Sequence, residues 1–418
     1  MNNMKSKTKV YVDTGFWNCF VKEFMLTRNS FDPEDGDNRI LLENWLQYLY
    51  KSNTYIEKIS DNPDELYMLL LRNWSNKPNG QTISGKIIEQ RLSNPDSEDL
   101  NAVFLTYTNH TEETNRFGIL NFHTENNDFL RRKELFKTTK IPIKKGSRIN
   151  WTTLLHHGAV IRNCNSMVFV DPWIIKNDQQ SNNNNLFVVL DSILPQSLDC
   201  DFHFTLVSEE SEGAVLNKFD LNEVEPWIND KKQWLSEEIE KMRPKLKDHI
   251  KIEVCYNFCG AFHDRSIITN HMMITIGAGF DAMKNDNTNN HTTKAGKETT
   301  IYIDYPEFLF DTETYDALIH QTNYCILNQK KKTDNRLLNY HFGNLMVKNT
   351  GVKKLYITTP EVLPDWSSRK PIIIKDNSWK RLIANAKHGD AVIFELDVCP
   401  DRNDPNKNFY MANNVRMY

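Results

Sequence analysis

His263, Asp264 and Arg265 are the residues whose types and spacing speak most directly of chemistry. Positions two apart on a strand project from the same face. His263 and Arg265 would therefore present an imidazole beside a guanidinium. An imidazole serves as nucleophile or proton carrier. A guanidinium stays charged and grips phosphate in bidentate fashion. The pair suits a phosphoryl group. The bland alternative is a polar turn before a strand, with Asp264 paired to Arg265 or capping the backbone. Asn270 follows five positions after Arg265, and Gly277 and Gly279 close the next apolar run. A bare Gly-x-Gly without a phosphate-loop context does not argue for a nucleotide loop. Asp13 is a second candidate: it ends the run Val10-Tyr11-Val12. A strand-end carboxylate is either a ligand or a helix cap. Basic clusters stand at Arg131-Arg132-Lys133, at Lys137, Lys140, Lys144, Lys145 and Arg148, and at Lys330-Lys331-Lys332. They read as phosphate contacts or as solvated loops.

The elements that must position these residues follow from periodicity. Lys9 to Asp13 predicts a buried strand. Ile40, Leu41, Trp45, Leu46 and Leu49 recur at helical spacing, so a helix is predicted over Asn38–Tyr50. Further helices are predicted over Asp64–Trp74, behind Pro63, and over Ile83–Leu92. Ala102–Thr106 and Gly118–Phe122 predict strands. Thr138–Arg148, basic and holding Pro142 and Gly146, reads as a linker. Beyond it, a helix over Trp151–Cys164 precedes a strand from Ser166 that ends at Asp171-Pro172-Trp173. Asn182–Asn185 reads as a polar loop, Leu186–Leu194 as a helix, and Phe202–Val207 as a strand. Glu223–Leu246 reads as a long amphipathic helix, acidic early and basic late, in the sense that suits the helix dipole. Ile250–Tyr256 is a predicted strand leading to His263. Asn285–Lys297 reads as an insertion, and strands are predicted at Ile301–Ile303, Lys354–Ile357 and Ala391–Leu396. Strands interleaved with helices indicate an α/β class with a mainly parallel first sheet.

The chain has 418 residues, which implies two or three domains. Charged residues make up 25% and hydrophobic ones 39%, as in ordinary globular proteins. No window approaches the roughly 18 apolar residues of a membrane span. Met1 to Lys9 is polar and leads into a strand, unlike a secretory signal. The seven cysteines form no C-x-x-C pair, and Cys255 and Cys259, four apart, lack a second pair at zinc spacing. Free thiols and a cytoplasmic location are expected. The net charge of −4 means that nucleic-acid binding would need a local basic surface.

The His263 stretch resembles the phospholipase D superfamily, whose pattern is H-x-K, then Asp five positions on, then Gly-Ser-x-Asn. Arg265 takes the Lys position and Asn270 the Asp position, while Ala278 and Phe280 replace Ser and Asn. The stretch looks most like the phospholipase D-like domain at the C-terminus of MIT-domain proteins and its bacterial relatives, with H-D-R followed by G-R-G-L-D. Val168-Phe169-Val170-Asp171-Pro172-Trp173 is similar to the family's I-x-D-P-Y strand. Asn335-Arg336-Leu337-Leu338-Asn339 is similar to an N-R-L-L-N segment of bacterial members. The resemblance spans about Arg148 to Leu363. It implies metal-independent phosphodiester chemistry through His263, Asp264, Arg265 and Asn270, with Asp171 and Arg336 binding substrate; Lys144 and Lys145, in the basic cluster just before it, are further substrate-binding candidates. One H-x-R copy is half a site, so it also implies a homodimer. The eukaryotic domain is a lipid-binding module without phospholipase activity, and bacterial relatives belong to defence-type systems acting on nucleic acid.

The N-terminal part resembles a PIN-like nuclease domain through Val10-Tyr11-Val12-Asp13-Thr14-Gly15-Phe16. Such domains hold Mg²⁺ or Mn²⁺ on strand-end carboxylates. The resemblance implies Asp13, Glu43 on a helix, and Asp99 (or Asp96 or Glu98) as metal ligands. Thr106-Tyr107-Thr108 lacks the Asp of a T-x-D. The expected organisation is a PIN-like domain over 1–137, a basic linker over 138–148, and a phospholipase D-like domain over 149–365. An extension over 366–418 either completes the second domain or stands apart. The expected function is phosphodiester cleavage of nucleic acid, as a nuclease or effector of a bacterial defence-type system with a protein partner. The alternative is a non-catalytic module recognising phosphate on nucleic acid, nucleotide or phospholipid.

Overall fold

The structure is a computed structural model that describes residues 9–28, 33–58, 81–84, 86–96, 99–125, 139–151, 164–175, 179–208, 221–256, 265–277, 279–280, 283–284, 292–304, 340–350, 352–358, 372–375, 390–400 and 408–417. The class is mixed α/β. The helices predicted over Asp64–Trp74 and Trp151–Cys164 lie outside the described residues, apart from the ends of the latter. So do Arg131–Lys133, Lys137, Lys330–Lys332, His263, Asp264 and Arg336. Residues 1–217, 222–254 and 262–312 make one compact unit; residues 218–221, 255–261 and 313–418 make a second.

The first unit opens with a parallel sheet of β1 (Lys9–Val12), β2 (Asn53–Lys58), β3 (Gln81–Ser84), β4 (Val103–Thr106) and β5 (Leu120–His123). Its order is β3-β2-β1-β4-β5, and every pairing is parallel. The central strands are apolar on both sides because helices cover both faces. On one face Tyr11 stacks between Tyr55 and Phe104, and packs with Ile88 and Leu92 of α3 (Lys86–Ser93). On the other, Phe122 meets Trp45 of α2 (Pro33–Lys51) edge-on at 5.7 Å. α1 (Thr14–Arg28) follows β1 directly. The order reverses between β1 and β4, and such a switch opens a crevice at the strands' carboxyl ends.

A second sheet has the order β10-β9-β8-β11-β12-β15-β6. Its strands are β6 (Thr139–Ile143), β8 (Ser166–Val170), β9 (Phe202–Ser208), β10 (Ile250–Tyr256), β11 (Arg265–Thr269), β12 (Met273–Ile276) and β15 (Thr299–Asp304). β8 and β9 are parallel; β11, β12, β15 and β6 alternate antiparallel to one another, and β11 to β8. The ladder of β6 and β15 continues into a three-stranded sheet of β13 (Met283–Lys284), β14 (Thr292–Ala295) and β7 (Arg148–Asn150). Thr138–Arg148 is therefore no linker. Pro142, a breaker by residue type, sits on the edge strand β6, where a missing N–H does no harm.

Asn182–Asn185, expected as a loop, is helical within 179–193, with a π-helical stretch over Asn183–Phe187. Leu186, Val189, Leu190 and Ile193 bury its apolar face, and the Asn185 amide donates to the Ser181 carbonyl at 2.9 Å. Packing thus overrides the low helix propensity of the asparagines. The long helix runs over Leu221–Met242 and gives way to a 3₁₀ turn at Pro244–Leu246.

The second unit holds a closed barrel of β16 (Tyr340–Thr350), β17 (Val352–Thr358), β18 (Ile372–Ile374), β19 (Ala391–Pro400) and β20 (Asn408–Met417), ordered β16-β17-β18-β20-β19. β16 pairs with both β17 and β19, and β18 runs parallel to β20. Leu345, Leu355, Ile357, Ile372, Ile374, Phe394 and Tyr410 fill its interior. The boundary expected at 365 falls between β17 and β18, which pair directly.

Candidate functional site

Among the described residues, two places in the first unit hold sequence-predicted site residues. The first is the crevice between β1 and β4. Asp13 caps α1: one carboxylate oxygen accepts the Phe16 N–H at 2.6 Å, and the other accepts the Tyr107 N–H at 2.6 Å. Its own N–H donates to the Leu105 carbonyl at 2.9 Å. The residue therefore clamps β1, β4 and α1 together. Gly15 allows this approach, since a Cβ there would lie 2.5 Å from Tyr107 Cβ. Glu57, at the end of β2, accepts the Thr14 N–H at 3.0 Å, which puts a second carboxylate at the same helix start. Burial pushes the Asp13 carboxyl above its ordinary range; the charge of Glu57 adds to the push, while the two N–H bonds and His110 oppose it.

Glu57 escaped sequence reasoning. The signal was the alternation Thr54-Tyr55-Ile56-Glu57, whose burial alternates between full and partial. Asp99 does not join Asp13. It precedes β4 and lies at the opposite end of β1, fully buried. There it accepts the Tyr11 hydroxyl at 2.7 Å, Lys9 Nζ at 3.3 Å and Arg91 Nη1 at 2.9 Å. Parallel pairing forces this: a residue before β4 sits beside the start of β1. Asp96 serves the same corner through Arg91. Glu43 is exposed on α2 and lies 3.9 Å from Arg39. Among the described residues no three His, Cys, Asp or Glu side chains converge as a metal cage. Asp13 and Glu57 are two carboxylates, short of the three or four expected for Mg²⁺ or Mn²⁺.

The second place is one edge of the second sheet. β8 and β9 end there, β11 begins there, and β6 leaves it toward the turn Lys144–Ser147. Arg265 opens β11; its Nη1 donates to the Gly277 carbonyl at 3.2 Å, and its guanidinium lies 4.5 Å from the Trp173 ring centre. Trp173 is 40% exposed, so the stack faces outward. A guanidinium on an aromatic face keeps its charge with its remaining donors in the ring-parallel plane. Asp171, expected to bind substrate, is instead fully buried. One oxygen accepts the Trp173 N–H at 3.0 Å and the other the Phe280 N–H at 2.8 Å. It positions the turn that carries Trp173. Lys144 and Lys145 are exposed on the same edge, where Ile143 pairs with Thr299 beside Gly277. Three strand spacings of about 4.8 Å put roughly 14 Å between their strand and that of Arg265.

Asn270 is not part of that site. It follows β11 at the other end of the strand, and five residues at about 3.3 Å each separate it from the Arg265 edge. Its carbonyl oxygen accepts the Asn165 N–H at 3.2 Å, and its amide donates toward the Gly118 carbonyl at 3.5 Å and meets His271 Nε2 at 2.8 Å. Asn165 in turn donates to the carbonyls of Leu100 and Phe117 at 2.6 and 3.0 Å. This network joins the second sheet to the first. Comparison with protein-family models and with curated proteins finds no match for this chain in either.

Proposed function

We propose that the protein acts on nucleic acid and holds a phosphodiester backbone along the Arg265 edge of the second sheet. The observation that supports this is the stacked Arg265–Trp173 pair on an edge shared with Lys144 and Lys145. In a chain of net charge −4 this is a local basic surface of the required kind. A span of about 14 Å matches roughly four nucleotides of one strand at about 3.4 Å each.

Phosphate recognition is the reading best supported, because Asn270 and Asp99, expected in catalysis, serve packing instead. Cleavage is the second reading, favoured by Arg265 being poised two residues from His263. His263 would then attack phosphorus without metal, expelling one sugar oxygen, which takes up a proton, and the phosphohistidine would be hydrolysed by water, in a homodimer that unites two half-sites. Either reading suits an effector of a bacterial defence-type system.

Fluorescence anisotropy of labelled single- and double-stranded DNA and RNA, taken across a salt series, tests both. Arg265→Ala and Lys144→Glu/Lys145→Glu are expected to weaken binding and to reduce the slope against log salt by about one for each phosphate that is no longer neutralised. Unchanged binding in both variants would remove the reading. Cleavage scored with Mn²⁺, Mg²⁺ or EDTA separates the mechanisms. Activity that resists EDTA and vanishes in His263→Ala supports the second reading, and activity lost with EDTA and with Asp13→Ala would return the chemistry to the first sheet.

A further inference from the structure

The second sheet changes character along a single rung. Val170, Ser266, Thr275, Tyr302 and Lys140 stand side by side in register on β8, β11, β12, β15 and β6. Registered residues share a face. Val170 and Ser266 are fully buried, Thr275 is partly exposed, Tyr302 is 37% exposed and Lys140 is exposed. One half of this face is thus covered and the other half is open. On the open half Lys140 Nζ lies 5.7 Å from the Tyr302 ring centre, a cation–π separation. The exposed positions Lys140, Pro142 and Lys144 then lead along β6 to the sheet edge. At that edge stands the other aromatic–cation pair, Arg265 on Trp173. The Trp173 turn is held firmly, since buried Asp171 accepts the Trp173 N–H and the Ser208 hydroxyl donates to the Pro172 carbonyl at 3.2 Å. Gly277 lies between the two pairs, at the end of β12. It is exposed, and among the described residues a Cβ there would meet only Thr299 Oγ1, at 3.9 Å.

Two exposed rings, each with its own cation and joined by a basic turn, form a track rather than a point site. Resting on the nucleic-acid reading above, we propose that the ligand is a single strand whose path runs from Trp173 around the edge to Tyr302. Bases stack at Trp173 and at Tyr302, and phosphates pass Arg265, Lys144, Lys145 and Lys140. Arg265 takes one face of Trp173, and the exposed part of the ring is what a base covers. Rings for bases and cations for the backbone are what sequence-tolerant single-strand binding requires. The edge contributes about 14 Å from three strand spacings, and Lys140 to Lys144 about 13 Å from four residues. A path of roughly 27 Å holds about eight nucleotides at about 3.4 Å each. A duplex stacks its base faces internally and has none to offer these rings. An acidic peptide would satisfy the cations and leave both rings open. Lys297 and Glu298, exposed just before β15, cancel in charge. Asp304, two positions beyond Tyr302 on the same face, ends the track because a carboxylate repels phosphate.

The test uses the full chain, a labelled oligothymidine of about 12 nucleotides, which exceeds the path, and a duplex of the same length. The parent is expected to bind the single strand more tightly than the duplex. Trp173→Leu and Tyr302→Leu are each expected to lower single-strand affinity about fivefold or more. Trp173→Tyr and Tyr302→Phe, which keep a ring, are expected to stay within about twofold of the parent. Duplex affinity is expected to hold in all four, and circular dichroism confirms folding. Unchanged single-strand affinity in folded Trp173→Leu and Tyr302→Leu proteins overturns the inference. If Arg265→Ala and Lys144→Glu/Lys145→Glu still weaken binding there, the sheet-edge reading stands without it. Loss in only one of the two leucine variants overturns the continuous track and confines the site to the ring that matters. A parent that binds duplex as tightly as single strand, or labelled polyglutamate as tightly as oligothymidine, overturns it as well. A parent that binds no nucleic acid removes the sheet-edge reading and this inference together.

Discussion

Asp13 and Asp99 are both carboxylates of the first sheet, and their surroundings set them apart. Asp13 accepts two backbone N–H groups, one on each oxygen, and Asp99 accepts a hydroxyl, an ammonium and a guanidinium. Asp13→Asn would turn an NH₂ toward one of those N–H groups. An unmet donor of this kind costs about 1–3 kcal/mol, and urea unfolding is expected to register that loss. Glu57→Gln keeps an oxygen for the Thr14 N–H and is expected to be close to neutral by the same measurement. His271 gives a pH dependence. Burial pushes its imidazole down from 6.5 to about 4. Between those values the unfolded chain takes up a proton that the folded chain refuses. This contribution is therefore complete above about pH 6.5 and is lost as the pH falls toward 4, by roughly 3 kcal/mol in all. Unfolding free energies at about pH 7 and about pH 4.5 are expected to differ less in His271→Gln than in the parent, and equal slopes would refute the assignment.

At the scale of elements, the joint between the two sheets of the first unit rests on close backbone approach. Gly118 has φ +64°, and a Cβ there would lie 2.5 Å from the Cys164 carbonyl carbon and oxygen. Gly118→Ala combines a left-handed penalty of about 1–2 kcal/mol with overpacking of about 1–3 kcal/mol. It is expected to lower the melting temperature clearly, whereas an alanine at exposed Lys144 is expected to leave it unchanged. Arg116 and Asp199 reinforce the same joint at 2.7 Å between Nε and the carboxylate. Cys164, buried against it, has its thiol pushed up to about 12 and is inert as a nucleophile.

At the scale of the whole molecule, the division into units sets where the chain tolerates interruption. A chain stopped at residue 365 would keep β16 and β17 but lose β18, β19 and β20. Leu345, Leu355 and Ile357 would then face water on an unpaired edge, an aggregation risk. That truncation is expected to be insoluble. A chain stopped at residue 312 ends where the first unit ends and is expected to stay soluble, with parent-like helix content per residue. Size-exclusion chromatography and circular dichroism of the two truncations check this, and a soluble, folded 1–365 chain would contradict the closed barrel.

By itself the sequence determined the local elements whose burial is strongly patterned. Val10-Tyr11-Val12, Ser166–Val170, Phe202–Val207 and Ile250–Tyr256 are strands because apolar and β-branched runs of that length must be buried on one or both faces. It also determined that Asp13 stands at a strand end and that Arg265 lies on a strand. Tertiary structure decided which of these residues meet. Spacing alone groups Asn270 with Arg265, yet a strand carries its two ends apart, so the pair cannot share a site. Residue type groups Asp99 with Asp13, yet parallel pairing returns each strand to the same starting edge and leaves Asp99 at the far end of β1. Glu57 and Trp173 gained their positions beside Asp13 and Arg265 only through strand order and a buried turn. The Asn182–Asn185 helix and the Lys144–Lys145 turn are likewise products of neighbours: a propensity or a charge is local, whereas burial and register depend on residues more than a hundred positions away.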